Sequence, residues 1–164
     1  MFLHDGTDED GMRTADGTAD GRHARVTPCE GPPAPDAAAS MPVVLVVDDD
    51  AGLRAAVRRA LERRSYSVVE AVGGRDALAA LADGLRVDYV LTDLLMADGS
   101  GGWLLAQIGY EYPHLLPRTV VMTGDSAAVA AAHLATRWRC PVLTKPFTAP
   151  LLAGTLAGLA HQPD

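Results

Sequence analysis

Hydrophobic and polar positions follow two alternating patterns along residues 41–164, and together they predict five strand–helix units. Short apolar, β-branched runs such as VVLVV predict strands that are buried on both faces. Longer segments with apolar residues three or four positions apart, such as AGLRAAVRRALERR, predict helices with one buried face. The predicted strands are 43–47, 66–70, 88–92, 118–122 and 140–144. The predicted helices are 51–64, 75–83, 103–112, 126–137 and a last one that starts near Pro150.

This regular alternation predicts an α/β fold with a parallel sheet that is covered by helices on both faces. In open sheets of this type the ligand site lies beyond the carboxyl ends of the strands. The residues that directly follow each predicted strand are therefore the first candidates for function.

The N-terminal 40 residues have a different composition from the rest of the chain. Residues 1–40 are rich in Asp, Gly, Thr, Ala and Pro, and their eight acidic residues and three arginines give a net charge of −5. They contain too little apolar surface to offset chain entropy, so we expect a disordered acidic tail. Residues 41–164, with a net charge of −2, form the predicted folded domain.

Composition excludes several classes of function. The chain carries a formal charge of −7 and has no cluster of basic residues, so we expect no direct binding to nucleic acid. The two cysteines, Cys29 and Cys140, form neither a disulfide framework nor a metal-binding pattern, which suits a reducing cytoplasm. No apolar segment is long enough to span a bilayer and no signal peptide is visible, so we expect a cytoplasmic protein without membrane contact.

Polar groups follow four of the five predicted strands. They are Asp48, Asp49 and Asp50 after the first strand, Asp93 after the third, Thr123 after the fourth and Lys145 after the fifth. Carboxylates that are crowded at one edge repel each other unless a cation is present, and oxygen ligands of this kind suit Mg²⁺. Lys145 is the only lysine in the chain, and its compact charge can neutralise one further negative group. Such a set of groups can stabilise a phosphoryl group during its transfer to a carboxylate.

Some acidic residues have a structural explanation instead. We expect Asp50 to cap the first helix, because aspartate directly before a helix commonly accepts hydrogen bonds from its first N–H groups. Asp98 and Asp125 are expected to be turn or cap residues.

Four motifs in this order resemble the receiver domain of bacterial two-component response regulators. They are VLVVDDDAGLR, DYVLTDLLMADGSGG, VVMTGD and LTKPF, and the resemblance covers residues 43 to about 160. It implies a flavodoxin-like (βα)5 fold with the strand order 2-1-3-4-5. The final motifs, TGD and PVLTKPF, are most similar to receivers that belong to or work with hybrid histidine kinases.

The resemblance also implies a role for each site residue. Asp93 would be the phosphoacceptor that attacks a phosphohistidine. Mg²⁺ would be bound by Asp49, by Asp93 and by the backbone carbonyl of Leu95, and Asp48 would act through a metal-bound water. Thr123 and Lys145 would contact the phosphoryl oxygens, and the Lys145–Pro146 peptide bond would be cis.

Two positions depart from the family pattern. Ala97 stands where the family usually has proline, so the loop after Asp93 is expected to be less rigid. Val142 stands where an aromatic residue commonly moves inward on activation, so that movement cannot operate here in its usual form.

The expected function is that of a stand-alone receiver or relay module, a signalling domain that catalyses only its own phosphorylation and dephosphorylation. Its partner would be a sensor or hybrid histidine kinase or a phosphotransfer protein. Residues 126–136 and 146–163 contain no Asp, Glu, Lys or Arg, so the 126–160 face is a candidate surface for a homodimer or a target protein. Two alternatives remain. One is a haloacid-dehalogenase-like phosphatase, which would need an acidic pair after the lysine, although residues 146–163 contain no carboxylate. The other is a receiver-fold interaction module that is never phosphorylated.

Overall fold

Five short strands lie side by side in one parallel sheet, in the order β2-β1-β3-β4-β5. A computed structural model of the chain describes residues 41–124 and 128–160, without the side chains of 128–131 and 135. The strands are β1 (Val43–Val47), β2 (Ser67–Ala71), β3 (Tyr89–Asp93), β4 (Thr119–Thr123) and β5 (Val142–Thr144). The predicted α/β flavodoxin-like fold and its strand order are therefore confirmed.

A helix follows each strand along the chain. The helices are α1 (Ala51–Glu62), α2 (Gly74–Ala82), α3 (Gly101–Glu111), α4 (Ala128–Trp138) and α5 (Ala149–Ala160). The predicted boundaries differ from these by at most two residues, but the predicted start of the fourth helix at 126 and the predicted tail at 1–40 lie outside the described residues. Within 41–124 and 128–160, no helix combines the length and hydropathy that a bilayer crossing requires.

Local side chains and prolines set where several helices begin and end. The Asp50 carboxylate accepts a hydrogen bond from the N–H of Leu53 and begins α1, and Ser100 does the same for α3. The pattern did not predict a 3₁₀ helix at Pro113–Arg118. Its two prolines lack N–H donors, so this segment cannot continue α3 as a regular helix.

The two faces of the sheet are covered by different helices. Along β1, Val44 and Val46 pack towards α1 and α5, whereas Leu45 and Val47 pack towards α2 and α3. All four side chains are fully buried. The alternation follows from the two-residue period of a strand. Because helices cover both faces of the sheet, polar side chains are found at its carboxyl edge.

Candidate functional site

Three aspartates meet at the carboxyl edge of the sheet, where β1 and β3 are neighbours. Asp48 and Asp49 directly follow β1, and Asp93 is the last residue of β3. One carboxylate oxygen from each lies within 4.8 Å of the other two. Asp48 and Asp93 are only 1% and 7% exposed, whereas Asp49 is exposed. We call these three residues the acidic cluster.

Lys145 connects two members of the acidic cluster. Its Nζ lies 2.7 Å from Oδ2 of Asp48 and 2.9 Å from Oδ1 of Asp93. The backbone N–H of Lys145 donates to the carbonyl of Thr123 at 2.7 Å, which fixes this residue beside the end of β4. The Lys145–Pro146 peptide bond is cis, as predicted.

The environment of Lys145 favours its charged form. Burial opposes the ammonium charge most strongly, but hydrogen bonds and charges from Asp48 and Asp93 outweigh burial, so the pKa of Lys145 is raised. Lys145 therefore stays protonated at neutral pH and balances one of the three carboxylates.

Thr123 lies at the same edge, as the last residue of β4. It is 1% exposed, and its Oγ1 donates to the carbonyl of Gly124 at 3.1 Å. A hydroxyl can rotate to donate elsewhere. The contact of the Thr123 hydroxyl with a phosphoryl oxygen stays a prediction.

The loop between Asp93 and α3 is held from two sides. Asp49 Oδ2 accepts a hydrogen bond from the N–H of Ala97 at 3.2 Å. The N–H of Gly74 donates to the carbonyls of Asp98 and Gly99 at 2.8 and 3.0 Å. These bonds restrain the loop at the position where Ala97 replaces the usual proline. Leu95 lies in this loop and is 58% exposed, and the role of its carbonyl as a metal ligand stays a prediction.

Two of the acidic residues that were assigned structural roles, Asp50 and Asp98, belong to the described part of the chain. Asp50 caps α1 as predicted, and the N–H groups of Leu53 and Gly52 lower the pKa of its carboxyl. Asp98 lies in the bend before α3, with an oxygen 3.6 Å from Arg75 Nη1. Asp125 lies outside the described residues.

The sequence pattern did not identify Arg54 and Glu70 as neighbours of the site. Nη1 of Arg54 donates to the carbonyl of Asp48 at 2.6 Å, and its Nε donates to Glu70 Oε2 at 3.3 Å. The 3.6-residue period of α1 puts Arg54 away from the buried face of the helix, yet its side chain is only 11% exposed. Its position one turn beyond an acidic strand end was the available signal.

The acidic cluster fits a divalent cation. Three carboxylates and one ammonium leave two formal negative charges in the pocket. The available ligands are carboxylate oxygens, which suit hard ions such as Mg²⁺. The residues present are therefore compatible with the predicted metal.

The parallel sheet and the acidic cluster at its carboxyl edge define a flavodoxin-like α/β protein with a candidate metal site. Residues 44–157 match the family described as the response regulator receiver domain. The chain belongs to this family, the receiver domains of two-component systems, and the phosphatase alternative is thereby set aside.

Similar proteins include a sensor kinase and several response regulators. The chain is 32% identical over 132 residues to the sensor kinase CckA of Brucella abortus, covering 80% of this chain and 14% of that protein. It is 47% identical over 95 residues to the response regulator MprA of Mycolicibacterium vanbaalenii, covering 57% of this chain and 40% of that protein. The curated relatives it matches are thus covered over 14% to 40% of their own length.

Two solved receiver structures match this chain over nearly the whole of their own length. A response regulator receiver protein from Pseudomonas putida has a TM-score of 0.66 at 31% identity, over 73% of this chain and 98% of the other. The receiver domain of NtrX from Brucella abortus has a TM-score of 0.66 at 26% identity, over 73% and 99%. The similarity is thus to the receiver domain itself.

Proposed function

We propose that this chain accepts a phosphoryl group on Asp93 from the phosphohistidine of a sensor or hybrid histidine kinase, or of a phosphotransfer protein. One observation carries the proposal. The Asp93 carboxylate lies 2.9 Å from the only lysine of the chain, within a cluster of three aspartates. A buried carboxylate with its own cation at the carboxyl edge of the sheet is well placed to receive an anionic group.

The chemistry is a transfer between two nucleophiles. A carboxylate oxygen of Asp93 forms the new P–O bond while the P–N bond to the donor histidine breaks, and the electron pair of that bond returns to the imidazole nitrogen. Lys145 neutralises charge on the phosphoryl oxygens, and the hydroxyl of Thr123 donates a hydrogen bond to them.

Metal binding is part of the proposal. Asp49, Asp93 and the carbonyl of Leu95 would hold Mg²⁺ directly, and Asp48 would act through a water. When bound, the ion supplies positive charge that offsets the negative charge of the phosphoryl group. Asp49 is the exposed member of the cluster, which leaves it accessible to an incoming ion.

The role in signalling is that of a receiver module in a cytoplasmic phosphorelay. It catalyses only its own phosphorylation and dephosphorylation. Residues 41–164 form the receiver, residues 1–40 are an acidic tail, and the 126–160 face contacts a second copy or a target protein.

The first experiment tests the phosphoacceptor. We expect the full chain, incubated with Mg²⁺ and either acetyl phosphate or phosphoramidate, to give an acid-labile, retarded band on a phosphate-binding gel. Asp93→Asn should lose this band, because an amide is a poor nucleophile. Asp98→Asn is the matched control in the same loop and should be labelled like the wild type. Labelling of Asp93→Asn to the wild-type extent would refute the assignment, and no labelling of the wild type would favour the non-phosphorylated module.

The second experiment tests the metal site. Mg²⁺ binds the folded state, so it should raise the melting temperature of the wild type by mass action. Asp49→Ala removes an exposed ligand and should lose most of this rise, whereas Asp98→Asn should keep it. An equal rise in wild type and Asp49→Ala would rule out the site as described.

A further inference from the structure

Arg54 lies behind the acidic cluster without being a member of it. The residue is in the first turn of α1, and its guanidinium contacts two neighbouring strand ends. It donates to the carbonyl of Asp48 at 2.6 Å, just beyond β1, and to Glu70 of β2 at 3.3 Å. Its side chain is 11% exposed, so these contacts are shielded from water. One planar fork thus connects a helix to two strands at the edge that holds the site.

The hydrogen bond to the Asp48 carbonyl matters because this carbonyl directly precedes Asp49 in the chain. It belongs to the peptide unit that joins the two residues, and a peptide unit is planar. A hydrogen bond to its oxygen therefore fixes the direction in which the chain enters Asp49. Asp48 itself is already anchored by Lys145, by the N–H of Asp50 at 2.9 Å and by burial.

Asp49 needs such support more than Asp48 does. It is exposed, and its carboxylate accepts a single hydrogen bond among the described residues, from Ala97 at 3.2 Å. Ala97 belongs to a loop without the usual proline. The peptide that Arg54 holds is the more rigid of the two supports, because it continues directly from the buried end of β1.

We infer that Arg54 is a positioning residue for the metal site. By fixing the Asp48–Asp49 peptide it holds the Asp49 carboxylate within the acidic cluster, and Glu70 in turn orients the guanidinium. This inference rests on the proposed function, because it concerns the same Mg²⁺ site. Groups that orient metal ligands commonly change metal affinity when they are removed.

The sign of the effect separates positioning from simple charge. Arg54 is cationic and lies near a site for a cation, so its charge alone repels Mg²⁺. If Arg54 acted through charge, Arg54→Met would bind Mg²⁺ more tightly. If it positions Asp49, Arg54→Met binds Mg²⁺ more weakly, despite the lost repulsion.

The experiment measures the Kd for Mg²⁺ alone on the full chain, from the Mg²⁺-dependent rise in melting temperature and from the tryptophan fluorescence, to which Trp103 and Trp138 both contribute. Arg54→Met should weaken binding by about tenfold, as removal of a ligand-orienting group typically does. Arg54→Lys keeps the charge but loses the fork, so it should also weaken binding. Glu70→Gln should weaken it less. The control is Arg59→Met, an exposed arginine on the same helix, which should keep the wild-type Kd.

Each outcome decides the inference. A wild-type or lower Kd in Arg54→Met overturns it, even if the metal-free protein melts earlier, because a purely structural role lowers stability without changing the Kd. The inference is also overturned if Arg54→Lys has the wild-type Kd for Mg²⁺ while Arg54→Met binds Mg²⁺ more weakly. If Arg54→Met does not fold, the Kd values of Arg54→Lys and Glu70→Gln for Mg²⁺ decide whether the inference holds. Failure of the wild type to bind Mg²⁺ would instead contradict the proposed metal site.

Discussion

At the scale of single residues, Lys145 determines whether the acidic cluster is tolerated in the folded protein. It contacts Asp48 and Asp93 together, and Asp48 has almost no access to water. A buried carboxylate that loses its charged partner retains a large desolvation cost. The single lysine of an arginine-rich chain thus has a structural role before any phosphoryl group arrives.

Lys145→Met should therefore destabilise the metal-free protein. We expect the free energy of unfolding to fall by about 2 kcal/mol, the cost of an unpaired buried polar group. Urea denaturation in EDTA measures this, and added Mg²⁺ should restore part of the loss by supplying another cation. A metal-free stability equal to that of the wild type would contradict the pairing role.

Lys145→Arg separates charge from shape. It keeps the positive charge, so it should retain most of the metal-free stability, but its planar fork replaces a point charge that fits between two carboxylate oxygens. We expect labelling by acetyl phosphate to be at least about tenfold slower, which corresponds to roughly 1.4 kcal/mol in the barrier. A wild-type labelling rate would show that the shape of the cation does not matter.

Cys140 predicts a change of stability at alkaline pH. It is buried, and burial raises the pKa of its thiol from 9.0 to about 11. A raised pKa in the folded state means that the stabilising contribution is complete below pH 9 and is lost as the pH rises towards 11. We expect the free energy of unfolding to fall across this window by up to about 2 kcal/mol, and to fall less in Cys140→Ala. Identical slopes in urea denaturation from pH 8.5 to 11 would contradict this. The pKa of Lys145 is also raised, so deprotonation of its ammonium lowers the free energy of unfolding at high pH as well. The effect of Cys140 is therefore the difference in slope between the wild type and Cys140→Ala.

At the scale of elements, the turn before α2 fits closely against the turn before α3. A Cβ added at Gly74 would lie against the carbonyl oxygen of Gly99, well inside van der Waals contact, and one at Gly73 would meet the carbonyl of Asp98 in the same way. This close fit is what allows the N–H of Gly74 to bond both carbonyls. The loop after Asp93 is thus shaped by the neighbouring turn.

Gly74→Ala should displace that loop. We expect it to lower the free energy of unfolding by about 1–3 kcal/mol, as overpacking typically does, and to weaken Mg²⁺ binding. Gly154→Ala is the matched control, because it lies in α5 with open space around its Cβ position. That change should instead stabilise the protein by about 0.5–1 kcal/mol, the usual gain in a helix. Equal effects of the two substitutions in urea denaturation would contradict the fit between the turns.

The elements show which features a sequence can predict. Strand ends were predictable because each strand is a short apolar run, and parallel topology then brings Asp48, Asp93 and Lys145 to one edge. The contacts of Arg54 were missed, although its place one turn beyond an acidic strand end was a signal, because helical period alone assigns a residue to a face and not the direction in which a long side chain turns. In helices that direction is towards the N-terminus, which here leads from α1 back to the end of β1. The contact of Gly74 with Asp98 was missed because contacts between loops leave no periodic pattern of apolar and polar residues in the sequence.

At the scale of the whole molecule, one side of α5 is available to a partner. Leu152, Leu156 and Leu159 of this helix are buried in the core. On its other side Leu151 is 54% exposed, and residues 146–160 contain no charged side chain. A helix surface turned to solvent normally carries charges, so an uncharged one favours contact with a partner. The side chains of 128–131 in α4 are outside the described residues, so this support comes from α5.

Leu151→Glu should therefore weaken self-association of the phosphorylated protein. Phosphorylation changes the charge beside Lys145, and Lys145 leads through Pro146 into α5, so the effect should be larger after labelling than before. Sedimentation velocity with and without acetyl phosphate and Mg²⁺ measures it, at several protein concentrations. Tyr110→Glu is the control, because Tyr110 is 87% exposed on α3, away from this helix. If the wild type does not self-associate when phosphorylated, the proposed homodimer is wrong. If it does and Leu151→Glu associates as strongly, the contact surface lies elsewhere on the receiver.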